Sequence, residues 1–213
     1  MLTTKVKICG INSPDSFDAT IEAGADYVGF VFFEKSPRFI TPRQAASLSA
    51  RHAGGPKRVG LFVLAENAPL DPITEALAAL PLDILQIYAH TPRCTEITQK
   101  FGLPVWRSVH AAAPCDLPTH TEGAAALLIE PRLHPGDTRP GGLGRTLPWN
   151  MLQNWHPDFF WLLAGGLTPQ NVATAIAQSG APAVDVSSGV ESAPGVKDAA
   201  LIKGFVQAAI GSR

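Results

Sequence analysis

Eight short apolar runs, most of them followed by a segment able to form a helix, constrain this 213-residue chain more than any other feature. The runs lie near 5–9, 26–31, 58–63, 83–87, 104–109, 125–130, 159–164 and 183–187. Amphipathic or alanine-rich segments separate them at 14–24, 42–52, 69–80, 92–101, 114–121, 147–155 and 169–179, and another closes the chain at 198–210. Most runs are nearly continuous in apolar residues, as in Tyr27-Val28-Gly29-Phe30-Val31-Phe32. Strands of that kind are buried on both faces, as in a parallel sheet covered by helices. Ser13-Pro14, Thr41-Pro42 and Thr168-Pro169 each pair an N-cap residue with proline at the first helical position. Eight strand–helix units in this length give an α/β fold, a (β/α)8 or TIM barrel, forming one domain over residues 1–213. A doubly wound sheet fits less well, because it needs fewer strands and a glycine-rich turn after the first, where only Cys9-Gly10 stands.

Composition narrows the function. No apolar run approaches the roughly 18 residues of a membrane span, and Met1-Leu2-Thr3-Thr4 leads straight into a strand. A cytoplasmic protein with no membrane partner is expected. A net charge of −1 leaves no basic footprint for nucleic acid. Cys9, Cys94 and Cys115 are widely spaced with no CxxC pair, and the six histidines lack ligand spacing, so neither a disulfide framework nor a metal is indicated. The oligomeric state stays open between monomer and homodimer.

In a barrel the chemistry collects at the C-terminal strand ends. The first strand, Lys5-Val6-Lys7-Ile8-Cys9, puts Lys7 and Cys9 on one face and Val6 and Ile8 on the other. Its apolar face suits a helix layer, which leaves the lysine and cysteine facing inward. A thiol near an ammonium ionises more easily, so Cys9 is a candidate base or nucleophile. Lys7 then needs a carboxylate, and Asp185 or Glu130 could serve. Glu130 ends strand six and could act as an acid opposite Cys9. Arg38, in a loop after strand two, is placed to meet a carboxylate or phosphate, Arg107 ends strand five, and Gln86 and Tyr88 on strand four should both face inward. Gly165-Gly166 leads toward a helix, and Ser187-Ser188-Gly189 follows strand eight. Turns after strands seven and eight are the usual phosphate site of such barrels. The long Pro131–Leu147 stretch is Pro/Gly-rich, as functional loops often are.

The ordered set of motifs resembles the phosphoribosylanthranilate isomerase family. It runs through Lys7-Ile8-Cys9-Gly10-Ile11, Glu22-Ala23-Gly24-Ala25-Asp26 with Gly29-Phe30-Val31-Phe32, Lys35-Ser36-Pro37-Arg38 and Val59-Gly60-Leu61-Phe62-Val63. It continues through Gly141-Gly142-Leu143-Gly144, Leu163 to Val172, and Asp185 to Glu191 with Pro194 to Asp198. The resemblance implies a cofactor-free isomerase that performs an Amadori rearrangement on a phosphorylated sugar amine in tryptophan biosynthesis. It puts the general base on Cys9, the substrate-anchoring arginine on Arg38, and the phosphate loops on Gly142 to Gly144, Gly165-Gly166 and Ser187 to Gly189. Lys7, Gln86, Tyr88 and Asp185 complete the expected substrate-binding set. Three positions depart from the family pattern. Glu130 stands where the family has aspartate as its acid, Tyr88 where it has histidine, and Leu143 where a small polar residue is common. These departures keep a second reading open, a diverged paralogue that binds a sugar phosphate without this activity or isomerises another one.

Overall fold

A computed structural model of the chain describes residues 3–65, 67–88, 93–137, 141 and 144–211. The first half alternates regularly: β1 (Lys5–Cys9), α1 (Pro14–Glu22), β2 (Tyr27–Val31), α2 (Pro42–Ser49), β3 (Lys57–Val63), α3 (Asp71–Ala79), β4 (Ile84–Tyr88) and α4 (Cys94–Phe101). Then follow β5 (Val105–Ala111), β6 (Ala126–Pro131), β7 (Trp161–Leu163), α5 (Val172–Ser179) and β8 (Ala183–Val186). A small antiparallel pair, β9 (Glu191–Ala193) and β10 (Val196–Lys197), precedes the closing helix α6 (Ala199–Ile210). β1 to β8 form a closed barrel of parallel neighbours in sequence order, with β8 pairing back on β1.

The capping signals at the first two helices work as the sequence implies. Ser13 and Thr41 each close a capping box, and Pro14 and Pro42 open α1 and α2. Thr168-Pro169 behaves otherwise. α5 starts only at Val172, and residues 168–171 form a turn in which Asn171 Oδ1 accepts from Thr168 N–H and Asn171 Nδ2 donates to Gly166 O.

Two expected helices are replaced by single 3-10 turns, at Pro114–Asp116 and Trp149–Leu152. In the first, Asp116 accepts from the N–H groups of Ala112 and Ala113, and Pro118 cannot supply the next helical donor. In the second, aromatic packing takes the place of a helix. Trp155 packs on Trp161 with ring centroids 4.9 Å apart and donates through Nε1 to Pro118 O.

The strand faces divide the interior. Val6, Ile8, Val28, Phe30, Phe62, Leu85 and Ile87 point outward into the layer shared with the helices. Inside the barrel, Val59, Ile84, Trp106, Ala126, Leu128, Leu162 and Ala183 form an apolar plug at the N-terminal end. Above the plug come buried polar side chains, among them Lys7, Gln86 and Ser108. At the C-terminal end the barrel opens.

Candidate functional site

The opening is a cavity of about 700 Å³, its mouth included. Its walls differ in character. Val31, Phe33, Leu61 and Val63, on β2 and β3 and the segment after β2, make an apolar side. Gly165, Gly166, Ser187, Ser188 and Gly189 make a side of backbone and hydroxyls after β7 and β8. Cys9, Tyr88, Glu130 and Asp185 also line it.

Cys9 is the last residue of β1 and 4% exposed. Lys7 lies beneath it, fully buried, with its ammonium 2.7 Å from Asp185 Oδ1. The two residues are register partners on β1 and β8. Gly29 makes room for this group, since a Cβ there would lie 3.0 Å from Cys9 Sγ and 3.2 Å from Lys7 Nζ. Burial pushes the Cys9 thiol up, and the Lys7 ammonium opposes that shift. Burial alone would lower Lys7, but Asp185 and Cys9 outweigh it and the net shift is upward.

Glu130, near the end of β6, is 5% exposed and accepts a hydrogen bond from the Tyr88 hydroxyl at Oε1. Loss of hydration pushes its carboxyl up to about 7, although the Tyr88 donor works the other way. The site thus holds one carboxyl poised near neutrality and one thiol above its ordinary range.

Arg38 is buried in the cavity wall and is bound in a fork by Glu191, at 2.7 Å from Nε and 2.9 Å from Nη2. The same carboxylate accepts from Lys197 Nζ at 2.7 Å and from Gly195 N–H at 3.2 Å. Lys197 also donates to Ser187 O at 2.9 Å, and the Ser187 hydroxyl donates to Cys9 O at 3.0 Å. The β9–β10 hairpin therefore ties the arginine to the turn after β8 and to the end of β1.

The glycine turns are sterically required. Gly166 has φ +59°, and a Cβ there would come within 2.6 Å of the Arg145 carbonyl; at Gly189 it would overlap the Leu167 carbonyl oxygen. Among the described residues, the N–H groups of Gly165 and Gly166 have no hydrogen-bond acceptor.

Not every expected site residue reaches the cavity. Lys7 and Gln86 point inward but lie below its floor; Gln86 is fully buried with Nε2 3.4 Å from Ser108 Oγ. Gly144 is exposed and outside the wall, and Gly142 falls outside the described residues. Arg107 points away from the barrel mouth, with Nη2 3.2 Å from Glu122. The sequence motifs gave no role to several residues that belong here, although most of them lie within those motifs: Ser36, Gly141, the apolar wall, and the Glu191–Lys197 pair. A faint signal for that pair was two charges flanking Pro194-Gly195.

A model of the N-(5'-phosphoribosyl)anthranilate (PRA) isomerase family matches residues 6–208. An N-(5'-phosphoribosyl)anthranilate isomerase of Granulibacter bethesdensis is 47% identical over 208 residues, 97% of this chain and 98% of that one. A structure of monomers derived from the dimeric isomerase of Thermotoga maritima superposes with a TM-score of 0.79 at 33% identity, covering 98% of this chain and 99% of the other. An isomerase of this kind in complex with reduced 1-(o-carboxyphenylamino)-1-deoxyribulose 5-phosphate gives 0.79 at 32% identity and the same coverage. With the barrel, the cavity and these matches in hand, the chain belongs to the N-(5'-phosphoribosyl)anthranilate isomerase family.

Proposed function

We propose that this chain converts N-(5'-phosphoribosyl)anthranilate to 1-(2-carboxyphenylamino)-1-deoxyribulose 5-phosphate by Amadori rearrangement, with Cys9 as general base and Glu130 as general acid. One observation carries the assignment: a thiol and a carboxyl line one cavity between an apolar wall and two anion-accepting turns. Glu130 gives its proton to the furanose ring oxygen, the C1–O bond breaks, and the nitrogen lone pair forms the iminium. The Cys9 thiolate removes the proton from C2, leaving an enol-amine. That intermediate loses its enol proton, gains one at C1, and becomes the ketone. Atoms and electrons balance without any cofactor.

The other residues divide the binding. The N–H groups of Gly165 and Gly166, with Ser188 and Gly189, receive the phosphate, because unpaired backbone donors at a glycine turn favour an anion. The aromatic ring lies against Val31, Phe33, Leu61 and Val63. Arg38 and Asp185 hold polar groups between the two ends. Lys7 keeps positive charge below Cys9 and so favours the thiolate. The protein acts on a phosphorylated small molecule in tryptophan biosynthesis, and among the described residues no helix is long and apolar enough to cross a membrane.

The working form, thiolate with carboxylic acid, carries the same number of protons as thiol with carboxylate. The rate therefore follows a bell: it rises as pH passes about 7, where Glu130 titrates, and falls above the raised Cys9 value.

Turnover followed by loss of anthranilate-type fluorescence tests the assignment, alongside rescue of a tryptophan auxotroph lacking the isomerase. Cys9→Ala and Glu130→Ala should each lower kcat by roughly 10²–10⁴ with the fold intact by circular dichroism. Wild-type turnover in either variant would remove that residue from its role.

A further inference from the structure

Tyr88 and Glu130 sit at the C-terminal ends of β4 and β6, with β5 between them, and the Tyr88 hydroxyl bridges to Glu130 Oε1. The other carboxyl oxygen, Oε2, lies beside Gly141 in the segment after β6. A Cβ built on Gly141 would come 3.0 Å from Oε2 and 2.9 Å from Tyr88 Oη. One oxygen is thus engaged by a phenol, and the other lies against a residue with no side chain. We infer that Tyr88 is a positioning residue that divides the labour of the Glu130 carboxyl, holding Oε1 as the acceptor so that the transferable proton rides on Oε2 at the face beneath Gly141. The inference rests on Glu130 being the acid.

A neutral carboxylic acid has one O–H and one carbonyl oxygen. The phenol of Tyr88 is pushed well above its ordinary pKa, first by burial and then by the Glu130 charge, so it remains a donor on both sides of neutrality. A permanent donor at Oε1 leaves Oε2 to take and release the proton. The tether also fixes a glutamate arm whose extra torsion would otherwise let the carboxyl wander. Other groups around the pair are Ser108 and His110 on β5, Lys7 and Cys9 on β1, and Asp185 on β8. Ser108 also hydrogen-bonds to the Glu130 carboxyl, and the phenol is the donor at Oε1.

Tyr88→Phe keeps the ring and removes the donor. Misplacing a reacting group by about 1 Å costs around 100-fold, so kcat should fall about 10- to 100-fold while KM changes little. With the larger of the two donors that favour the carboxylate gone, the limb of the rate profile near 7 should move to higher pH. Gly141→Ala puts a methyl against Oε2 and should lower kcat at least about tenfold by the same argument. Glu130→Gln separates the two levels. If Glu130→Gln turns over like wild type, the acid assignment itself is wrong. If Glu130→Gln is inactive while Tyr88→Phe keeps both its kcat and its limb near 7, the role given to Tyr88 is overturned. Full kcat in Gly141→Ala overturns the choice of Oε2, and this readout stands even if Tyr88→Phe does not fold.

Discussion

Glu130 shows most plainly how burial is turned into chemistry. Removing a carboxyl from water penalises its charged form, and its pKa rises to about 7 from the ordinary glutamate range near 4.5. The folded state then holds the proton more tightly than the unfolded chain does. The stabilisation this gives is complete below about 4.5 and is lost as pH rises through about 7. The difference of about 2.5 pKa units corresponds to about 3 kcal/mol. Glu130→Gln escapes that loss, so it should unfold at a higher urea concentration than wild type at pH 8 and at a similar one at pH 5, while being inactive. Equal midpoints at pH 8 would mean that the carboxyl is better hydrated than its surroundings imply. Lys7 is the converse case, an ammonium with no exposed surface whose charge is kept by Asp185 at 2.7 Å. Alternation on β1 made the inward direction of Lys7 readable from sequence. Its partner was not, because Asp185 and Glu130 both sit on strand ends, and only the β1–β8 register brings one of them opposite.

At the scale of elements, the β9–β10 hairpin is the least expected component and the one that sets Arg38. Glu191 accepts from Arg38, Lys197 and Gly195 together, and Arg38 and Lys197 are largely buried. Burial lowers the Lys197 ammonium, and Glu191 works against that shift. Removing one partner of such a group leaves buried charge uncompensated and typically costs 3–5 kcal/mol. Glu191→Ala should therefore lose about 3 kcal/mol in urea unfolding and raise KM more than it lowers kcat, because the arginine is no longer held in the wall. A KM unchanged in this variant would argue against Arg38 as a ligand contact. Where elements departed from expectation, the cause was local. Residues 114–121 and 147–155 carry helix-like apolar spacing, yet Pro118 and the Asp116 turn stop the first, and Trp155 finds better packing on Trp161 than a helix would provide. Apolar periodicity records which residues must be buried, and here a tryptophan-rich turn buries them as well as a helix does.

For the whole molecule, closure of the barrel is what assembles the site. Cys9, Glu130 and Gly165 are far apart in sequence and share one cavity because β1, β6 and β7 all end at the same rim. A ligand that binds only this closed state stabilises it by about 2.7 kcal/mol at 100 times its Kd. For a chain of this size that corresponds to a Tm rise of roughly 5–10 °C. The reduced product analogue should produce such a rise in wild type, measured by thermal unfolding, and a smaller one in Ser188→Asp, whose carboxylate repels the phosphate. An equal rise in the variant would move the phosphate away from the turn after β8.

The sequence alone determined the eight barrel strands, their parallel order, and the inward faces of β1 and β4, because strand periodicity and helix caps are local properties written residue by residue. It also placed Cys9 and the two glycine turns at strand ends. Depth and partnership were decided only in the closed barrel. Gln86 faces inward as its alternation with Tyr88 requires, yet it lies one layer below the cavity floor and meets Ser108. The stagger between neighbouring strands sets that depth, and no single strand encodes it. The same stagger gives Lys7 to Asp185 and Tyr88 to Glu130, so the pairing that tunes the acid and the base belongs to the tertiary structure.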